Sequence, residues 1–406
     1  MKKELVLCLS LSLLTLSLSA QDNIQWRGMD RTGIYYETGL LKSWSAEGPQ
    51  LLWHYNGLGE GHSSVAIANN KIYITGLVDG KGQLFVFDMD GKLLNKVIYG
   101  QEWDSNYNGS RGTATVNNGK IYVYSGKGGL TCLDENSLRI LWEKNIVDDF
   151  QGSNITWGVN ESPLIVGEKV IITPGGKVNN VVALDKNTGN LIWACPGEGD
   201  VSAYCSPLYI ADQQVPQIIT TMARHIVGIE AATGKLLWSH PYENNRKIHP
   251  NTPVYDGKDM VLVTNGYDKG SVMLRLTNGG RSVEKVWRND EIKSKHGGMV
   301  KIGNYVYVGG DDQSGRYWYC VDWNTGEVKY KDNSITVGAI IANDNMLYCY
   351  SEKGEMALVK ATPEKFDLVS KFPITLGTEQ HWAHPVIFKG VMYVRHGDTL
   401  MAYKIK

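Results

Sequence analysis

The feature that most constrains this fold is a unit of roughly 45 residues that recurs along almost the whole chain. Each unit pairs two apolar strands across a polar turn, then continues with an Asp, a Thr-Gly-like turn and a strand often ending in Trp. Segments 182–193 and 228–238 are the clearest copies of the second half. The turn glycine tolerates positive φ between alternating apolar residues, which predicts a β-hairpin. Aligned before their first strands, the units begin at Val65, Ala114, Pro163, Pro207, Pro253, Met299, Ala339 and Pro385.

Four short strands per unit, in units spaced 40 to 49 residues apart, predict an all-β fold. We expect an eight-bladed β-propeller of four-stranded antiparallel blades. The last unit runs out at residues 400–405 without an outer strand, and segment 51–55 resembles the missing one. We therefore expect an N-terminal strand to complete the last blade and close the ring. Residues 51–406 then form a single domain, although length alone would suggest two or three.

The first 20 residues have the features of a secretory signal peptide. Lys2 and Lys3 precede an apolar run over residues 5–16, and small residues at 18–20 offer a cleavage site. The run is shorter than the roughly 20 residues that span a bilayer. We expect an exported protein, periplasmic or extracellular, with no transmembrane segment and with residues 21–50 as an N-terminal extension.

Composition excludes several classes of partner and cofactor site. With 41 Lys+Arg against 42 Asp+Glu, the chain has no basic excess to neutralise the phosphates of a nucleic acid. The cysteines after residue 20 form no CxxC pair, which excludes a zinc ribbon and a disulfide framework, and leaves a Cys195–Cys205 bridge open. The 12 Trp and 22 Tyr exceed what blade packing needs, and leave aromatic faces for a polar ligand. We expect a monomer.

The repeated phrase of Asp, Thr-Gly and Trp resembles the blade motif of the PQQ-like eight-bladed β-propellers, over about residues 50–406. This family includes the quinoprotein alcohol dehydrogenases and the outer-membrane assembly protein BamB. Segments 25–28, 157–163 and 357–363 resemble an exported branch of mostly unassigned function. The resemblance implies two alternatives: a PQQ- or metal-dependent alcohol or sugar oxidoreductase, and a BamB-like scaffold for a cell-envelope protein partner. Such dehydrogenases typically carry adjacent cysteines near the cofactor, and this chain has none, so PQQ is not expected.

Chemistry-bearing residues concentrate just before the innermost strands, where each strand begins at one rim of the central channel. Aromatic rings there can stack on the apolar face of a sugar, while polar neighbours bind its hydroxyls. We predict a saccharide or polyol ligand at this rim. The predicted ligand-binding residues are His62, Trp157, Asn160, Glu161, His249, Asn251, Trp382 and His384.

A catalytic version of this site would use the same rim. His296 or His381 would act as general base, and Arg111 or Lys295 would neutralise developing negative charge, with Tyr204 beside them. Two or three of the histidines together with the carboxylate of Glu161 would suit a divalent metal ion, whose identity the sequence does not give. Whether turnover occurs is also left open by the sequence.

Overall fold

The computed structural model describes residues 24–312 and 315–406. The predicted signal peptide lies outside the described residues. Two strands precede the repeats: β1 (Ile34–Tyr35) and β2 (Leu51–Asn56). No helix in the described part of the chain is long and apolar enough to cross a bilayer.

Blades 1 to 4 each take four consecutive strands, ordered from the inside of the ring outwards. Their strands are β3 (Ala66–Ala68), β4 (Lys71–Val78), β5 (Lys81–Asp88), β6 (Leu93–Gln101), β7 (Thr115–Asn117), β8 (Lys120–Tyr124), β9 (Gly129–Asp134), β10 (Ile140–Asn145), β11 (Leu164–Val166), β12 (Lys169–Ile172), β13 (Val181–Asp185), β14 (Leu191–Cys195), β15 (Leu208–Ile210), β16 (Gln217–Thr221), β17 (His225–Glu230) and β18 (Leu236–Pro241). One helical turn, α1 (Ile146–Phe150), follows β10.

Blades 5 to 8 continue this pattern around the ring. Their strands are β19 (Val254–Tyr255), β20 (Met260–Thr264), β21 (Ser271–Thr277), β22 (Ser282–Asn289), β23 (Met299–Ile302), β24 (Tyr305–Asp312), β25 (Gly315–Asp322), β26 (Val328–Asp332), β27 (Gly338–Asn343), β28 (Met346–Ser351), β29 (Glu355–Lys360), β30 (Asp367–Pro373), β31 (Val386–Phe388), β32 (Val391–His396) and β33 (Thr399–Lys404). A short 3-10 helix, Asn278–Gly280, joins β21 to β22.

The ring closes as the sequence predicts. Strand β2 pairs antiparallel with β33, so the N-terminal strand becomes the outermost strand of blade 8. This confirms the eight-bladed propeller of four-stranded blades and its closure by the N-terminal strand. Closure matters for stability because it removes the open edge between the first and last blades.

The repeated Asp, Thr-Gly and Trp hold each blade to its neighbour. Asp185 accepts hydrogen bonds from the backbone N–H groups of Asn187 and Thr188, at 2.9 and 2.8 Å, which shapes the hairpin turn. Gly189, at φ 72°, then lies against the ring of Trp142 in the preceding blade, and a Cβ there would be 2.8 Å from that ring. The same Trp–Gly contact recurs in the pairs Trp53–Gly91, Trp193–Gly234 and Trp287–Gly326. The motif is therefore structural.

The cysteines are part of the packing between and within blades. Cys132, Cys195, Cys205, Cys320 and Cys349 are all buried and free. The bridge between Cys195 and Cys205 that the sequence left open does not form.

The N-terminal extension has a structural role that the sequence analysis did not assign. Residues 24–36 enter the central channel, and β1 pairs in parallel with the innermost strand β27. Arg31, 2% exposed, donates to the carbonyl oxygens of Ser162, Pro207 and Pro163 at 3.1, 3.0 and 2.6 Å. Innermost strands have no neighbour on their channel side, so this guanidinium satisfies carbonyl groups of two blades at once.

Arg27 plays the equivalent role on the other side of the channel. Its guanidinium donates to the carbonyl oxygens of Ile340 and Met299, at 3.0 and 2.6 Å, and to Nδ1 of His384 at 2.8 Å. Gly298, at φ 77°, makes room for this guanidinium, because a Cβ there would overlap it. The extension thus links blades 3, 4, 6, 7 and 8 from the inside.

We expect Gly298→Ala to lower the free energy of unfolding by about 2 kcal/mol more than Gly303→Ala. Both glycines have positive φ, at 77° and 56°, so the backbone strain of an alanine is similar at the two positions. A Cβ at Gly303 meets open space, whereas one at Gly298 displaces Arg27. Chemical denaturation of both variants measures the difference. Equal losses of unfolding free energy in the two variants would show that Gly298 does not pack against the Arg27 guanidinium.

Candidate functional site

A cavity of about 310 Å³ opens in the central channel at the end where the innermost strands begin. It is lined by Trp26, His62, Tyr107, Arg111, Trp157, Asn160, Ser162, Tyr204, Ser206, Ile248, Pro250, Tyr267, Lys295, His296, Trp382 and His384. Nine of these are among the residues predicted for the site: His62, Arg111, Trp157, Asn160, Tyr204, Lys295, His296, Trp382 and His384. The structure therefore brings most of the predicted rim together around one space.

Trp382 is the centre of an aromatic cluster in the cavity wall. Its ring lies 5.0 Å from that of His62, and 5.1 Å from those of Tyr107 and His296, measured between centroids. On the opposite side, the rings of Trp157 and Tyr204 lie 6.2 Å apart. The cavity is therefore walled by flat rings on more than one side.

Three tyrosines of the wall have a strained backbone. Tyr107, Tyr204 and Tyr267 have φ of 53°, 73° and 72°, in the left-handed region that bulky residues rarely adopt. All the tyrosines with positive φ in the described residues line this cavity. Each such residue costs about 1–3 kcal/mol and is typically retained at ligand-binding sites.

The histidines of the wall have different chemical roles. His384 accepts from Arg27 at Nδ1, and its Nε2 donates to the carbonyl oxygen of His296 at 2.9 Å, so it is the neutral Nε2–H tautomer with both nitrogens used. Burial lowers the pKa of His296, which lies 3.5 Å from Glu352 through Nε2. His296 is thus a neutral imidazole with a carboxylate partner, and it is able to accept a proton.

His62 is the least satisfied polar side chain in the wall. Both ring nitrogens are buried and neither makes a well-aligned hydrogen bond within the described residues, although the backbone of Tyr107 is close enough to act on the ring as a weak partner. Burial, followed by the charges of Arg111 and Arg395, holds its pKa well below the usual range. A neutral imidazole has the capacity both to donate and to accept one hydrogen bond.

Four predicted site residues do not reach the cavity. Glu161 accepts from the backbone N–H of Thr173 at 2.8 Å and lies buried behind the wall. Nε2 of His249 donates to the carbonyl oxygen of Ala223 at 3.2 Å, and the ring packs against Tyr242. Both side chains therefore bond to the backbone of neighbouring segments and do not line the cavity.

The other two predicted residues outside the cavity, Asn251 and His381, contact neighbouring loop and strand residues. Asn251 uses its whole amide: it donates to the carbonyl oxygens of Ser294 and Lys295, and accepts from the N–H of Gly298. His381 stacks on His396 with 3.6 Å between ring centroids. The structure therefore places His381, predicted as a general base, outside the cavity lining.

Sequence reasoning missed several wall residues, above all Trp26. Its indole lies 4.6 Å from the ring of His384, and its Nε1 donates to Thr252 at 3.3 Å. The only available signal was the Gln25-Trp26-Arg27-Gly28 segment, which lies outside the repeats. Ser162, Ser206, Ile248 and Tyr267 also line the cavity without having been predicted.

A metal site of the kind considered from sequence is not present in the described residues. No three His, Cys, Asp or Glu side chains in residues 24–312 and 315–406 are placed to hold a metal ion together. Glu161, the carboxylate proposed for it, is bonded to Thr173 outside the cavity. No cysteine lines the cavity either, so the residues present do not fit the quinone and metal pair of the dehydrogenases.

The closed ring of eight repeats defines a PQQ-like β-propeller, and comparison with known proteins gives its family. Residues 90–332 match the family model PQQ_2, described as outer membrane protein assembly factor BamB. The chain belongs to this family, because the match covers more than half of its length. The protein is similar to the outer membrane protein assembly factor BamB of Shewanella oneidensis, 24% identical over 237 residues, which are 56% of this chain and 54% of that protein.

A second relative is the lanthanide-dependent methanol dehydrogenase of Methylacidiphilum fumariolicum, 35% identical over 94 residues, 22% of this chain and 15% of that protein. The chain thus aligns with about half of one relative and a small part of the other.

Solved structures agree on the fold. BamB from Moraxella catarrhalis superposes with a TM-score of 0.65 at 12% identity, covering 88% of this chain and 99% of that one. Quinohemoprotein alcohol dehydrogenase from Comamonas testosteroni gives a TM-score of 0.66 at 13% identity, covering 95% and 80%. At these identities the likeness shows the propeller fold alone.

Proposed function

We propose that this protein is an exported propeller that binds a saccharide or polyol in the channel cavity. The observation that carries the proposal is the wall itself, in which six aromatic rings surround a space of about 310 Å³. Asn160, Ser162 and Ser206 add amide and hydroxyl groups between them. This combination binds a sugar by stacking on its C–H face and bonding to its hydroxyls.

The strained tyrosines support the same proposal. Strain in Tyr107, Tyr204 and Tyr267 opposes folding, so the surrounding structure must hold these three residues in place. A preorganised ring also loses little entropy when a ligand binds. The catalytic roles of His296, Arg111, Lys295 and Tyr204 stay predictions, as does export by the signal peptide.

Trp382→Ala should weaken ligand binding at least tenfold, because it removes the ring that the other aromatics surround. Ten-fold corresponds to about 1.4 kcal/mol, within the range of one aromatic contact and its buried area. Isothermal titration calorimetry against hexoses, hexuronates and hexitols measures it. Tyr36→Ala is the matched control, because this ring is 78% exposed and lies outside the cavity. A panel without any binder would overturn the proposal.

A second candidate is a protein-interaction scaffold in the cell envelope, favoured by the BamB family match. The outermost strands of adjacent blades also expose apolar side chains: Leu51, Leu52, Leu94, Ile98, Ile140, Leu141, Leu191 and Ile192. Such surfaces suit a protein partner. A scaffold needs no occupant in the cavity, so a functional assay that Trp382→Ala leaves unchanged would favour it.

A further inference from the structure

Two basic side chains, those of Arg111 and Lys295, and no carboxylate line the cavity in the described structure. Lys295 has a counter-ion, since its Nζ lies 2.5 Å from Asp311 Oδ2. Arg111, in contrast, takes part in none of the ion pairs found among the described residues.

The guanidinium of Arg111 also has unused donors. Nη2 donates to the carbonyl oxygens of Tyr107 and Asn106, at 2.5 and 3.4 Å, and both acceptors are uncharged. Its Nε is buried without a hydrogen-bond partner in the described structure. The ring of Trp103 lies 5.9 Å away and fixes the guanidinium from one face. Arg111 is thus held in place without being neutralised.

Glu102 is the carboxyl group that acts on Arg111 electrostatically, and it is a poor counter-ion. Its oxygens already accept hydrogen bonds from the Tyr99 hydroxyl and from the N–H groups of Trp103 and Gly126. Burial raises its pKa, and the same hydrogen bonds oppose that shift. A half-buried cation with no carboxylate in contact among the described residues costs free energy that an anion would recover.

His62 gives an independent indication close to Arg111. Its two buried nitrogens make no well-aligned hydrogen bond in the described part of the chain, and buried polar atoms of that kind mark the position of a missing hydrogen-bonding group. The charge of Arg111 is one cause of the lowered pKa of His62, so the two side chains are close. An anionic oxygen bound by Arg111 would also lie within reach of this imidazole.

We propose that the occupant is a hexuronate unit, with its carboxylate bound by Arg111 and its ring held by the aromatic wall around Trp382. This rests on the proposed function and adds the chemical class of the sugar. Arginine suits a carboxylate because two N–H groups can bind its two oxygens together. The unit is either a free uronic acid or the end of a polyuronate chain, since the cavity opens at the channel rim and both share this chemistry.

The test compares glucuronate with glucuronamide, in which a neutral amide replaces the carboxylate. Calorimetry of the full protein should give at least tenfold tighter binding of glucuronate, or of galacturonate over its amide. Arg111→Gln should bring acid and amide within about threefold of each other, while Arg111→Lys should keep part of the preference. Arg246→Gln is the matched control. This arginine is exposed and does not line the cavity, but its charge acts against the burial that raises the pKa of Tyr267, a residue of the cavity wall.

The outcomes separate the two proposals. Equal affinity for acid and amide in the native protein would overturn the hexuronate assignment and leave sugar binding intact. Absence of binding by every sugar and uronate would overturn the proposed function itself. If Arg111→Gln fails to fold, the native protein still decides: raising ionic strength about tenfold should weaken uronate binding several-fold and leave amide binding unchanged. Tighter binding of digalacturonate than of galacturonate would identify the chain end as the source.

Discussion

Replacing Arg31 by methionine is expected to lower the thermal unfolding midpoint by roughly 4–5 °C, corresponding to about 3–4 kcal/mol for a propeller of this size. The guanidinium is 2% exposed and holds the carbonyl oxygens of Ser162, Pro163 and Pro207. Methionine fills similar space but donates no hydrogen bond. The carbonyl oxygens of Ser162 and Pro207 then lose their partner, and that of Pro163 keeps only the Thr115 hydroxyl. Differential scanning calorimetry measures the midpoint.

Arg139→Met is the control for this prediction, because Arg139 lies exposed in the hairpin turn of blade 2. Its midpoint should stay within about 1 °C of the parent protein. Equal midpoints for the two variants would mean that residues 24–36 do not hold the channel together. A loss confined to Arg31→Met would establish the N-terminal segment as part of the propeller core.

Glu161→Gln is expected to change how stability depends on pH. Burial raises the pKa of Glu161 from 4.5 to about 7, against the opposing hydrogen bonds from Thr173 and the charge of Arg31. Between pH 4.5 and 7 the folded protein therefore keeps a proton that the unfolded chain releases. This contribution is fully present at low pH and is lost as pH rises through 7, by up to about 3 kcal/mol.

The glutamine variant cannot lose that proton. Its amide replaces the neutral acid, because the Thr173 hydroxyl also contacts Ser202 at 3.0 Å and can donate there while accepting from the amide. Relative to the parent, the variant should be near-equal in stability at pH 5 and more stable above pH 8. Urea denaturation at both values measures this, with the exposed Glu143→Gln as control. A stability difference that does not vary with pH would contradict the raised pKa.

The fold could be predicted because its information is local and repeated. The carboxylate of Asp185 bonds to residues two and three positions further on, and Gly189 packs on Trp142 of the neighbouring blade. Copies of both contacts recur around the ring. Eight similar units, of which the last has no outer strand of its own, are enough to imply that a strand from the other end of the sequence closes the ring. Residues 24–36 gave no such signal, because their partners are backbone carbonyls, which have no sequence signature.

The site was predictable in part. Positions one and three residues before the aligned starts face the cavity, as Asn160 and Ser162 do. Extended backbone points successive side chains in opposite directions, so Glu161 between them turns into the blade. The same alternation separates His381 from Trp382. Lys295 departs from it and still lines the cavity, which spacing alone did not foretell.

The sequence by itself determined the number of blades, their closure and the rim on which polar and aromatic residues gather, because each follows from a periodic pattern. Only the tertiary structure decided that Trp26 enters the cavity and that Arg27 and Arg31 bind the innermost strands. It also decided that Arg111 meets no counter-ion among the described residues. Those features depend on contacts between residues hundreds of positions apart, such as Arg27 with His384. The direction in which a side chain points, and the residue it meets across the ring, depend on how the blades pack in three dimensions. A repeated sequence pattern does not specify that packing.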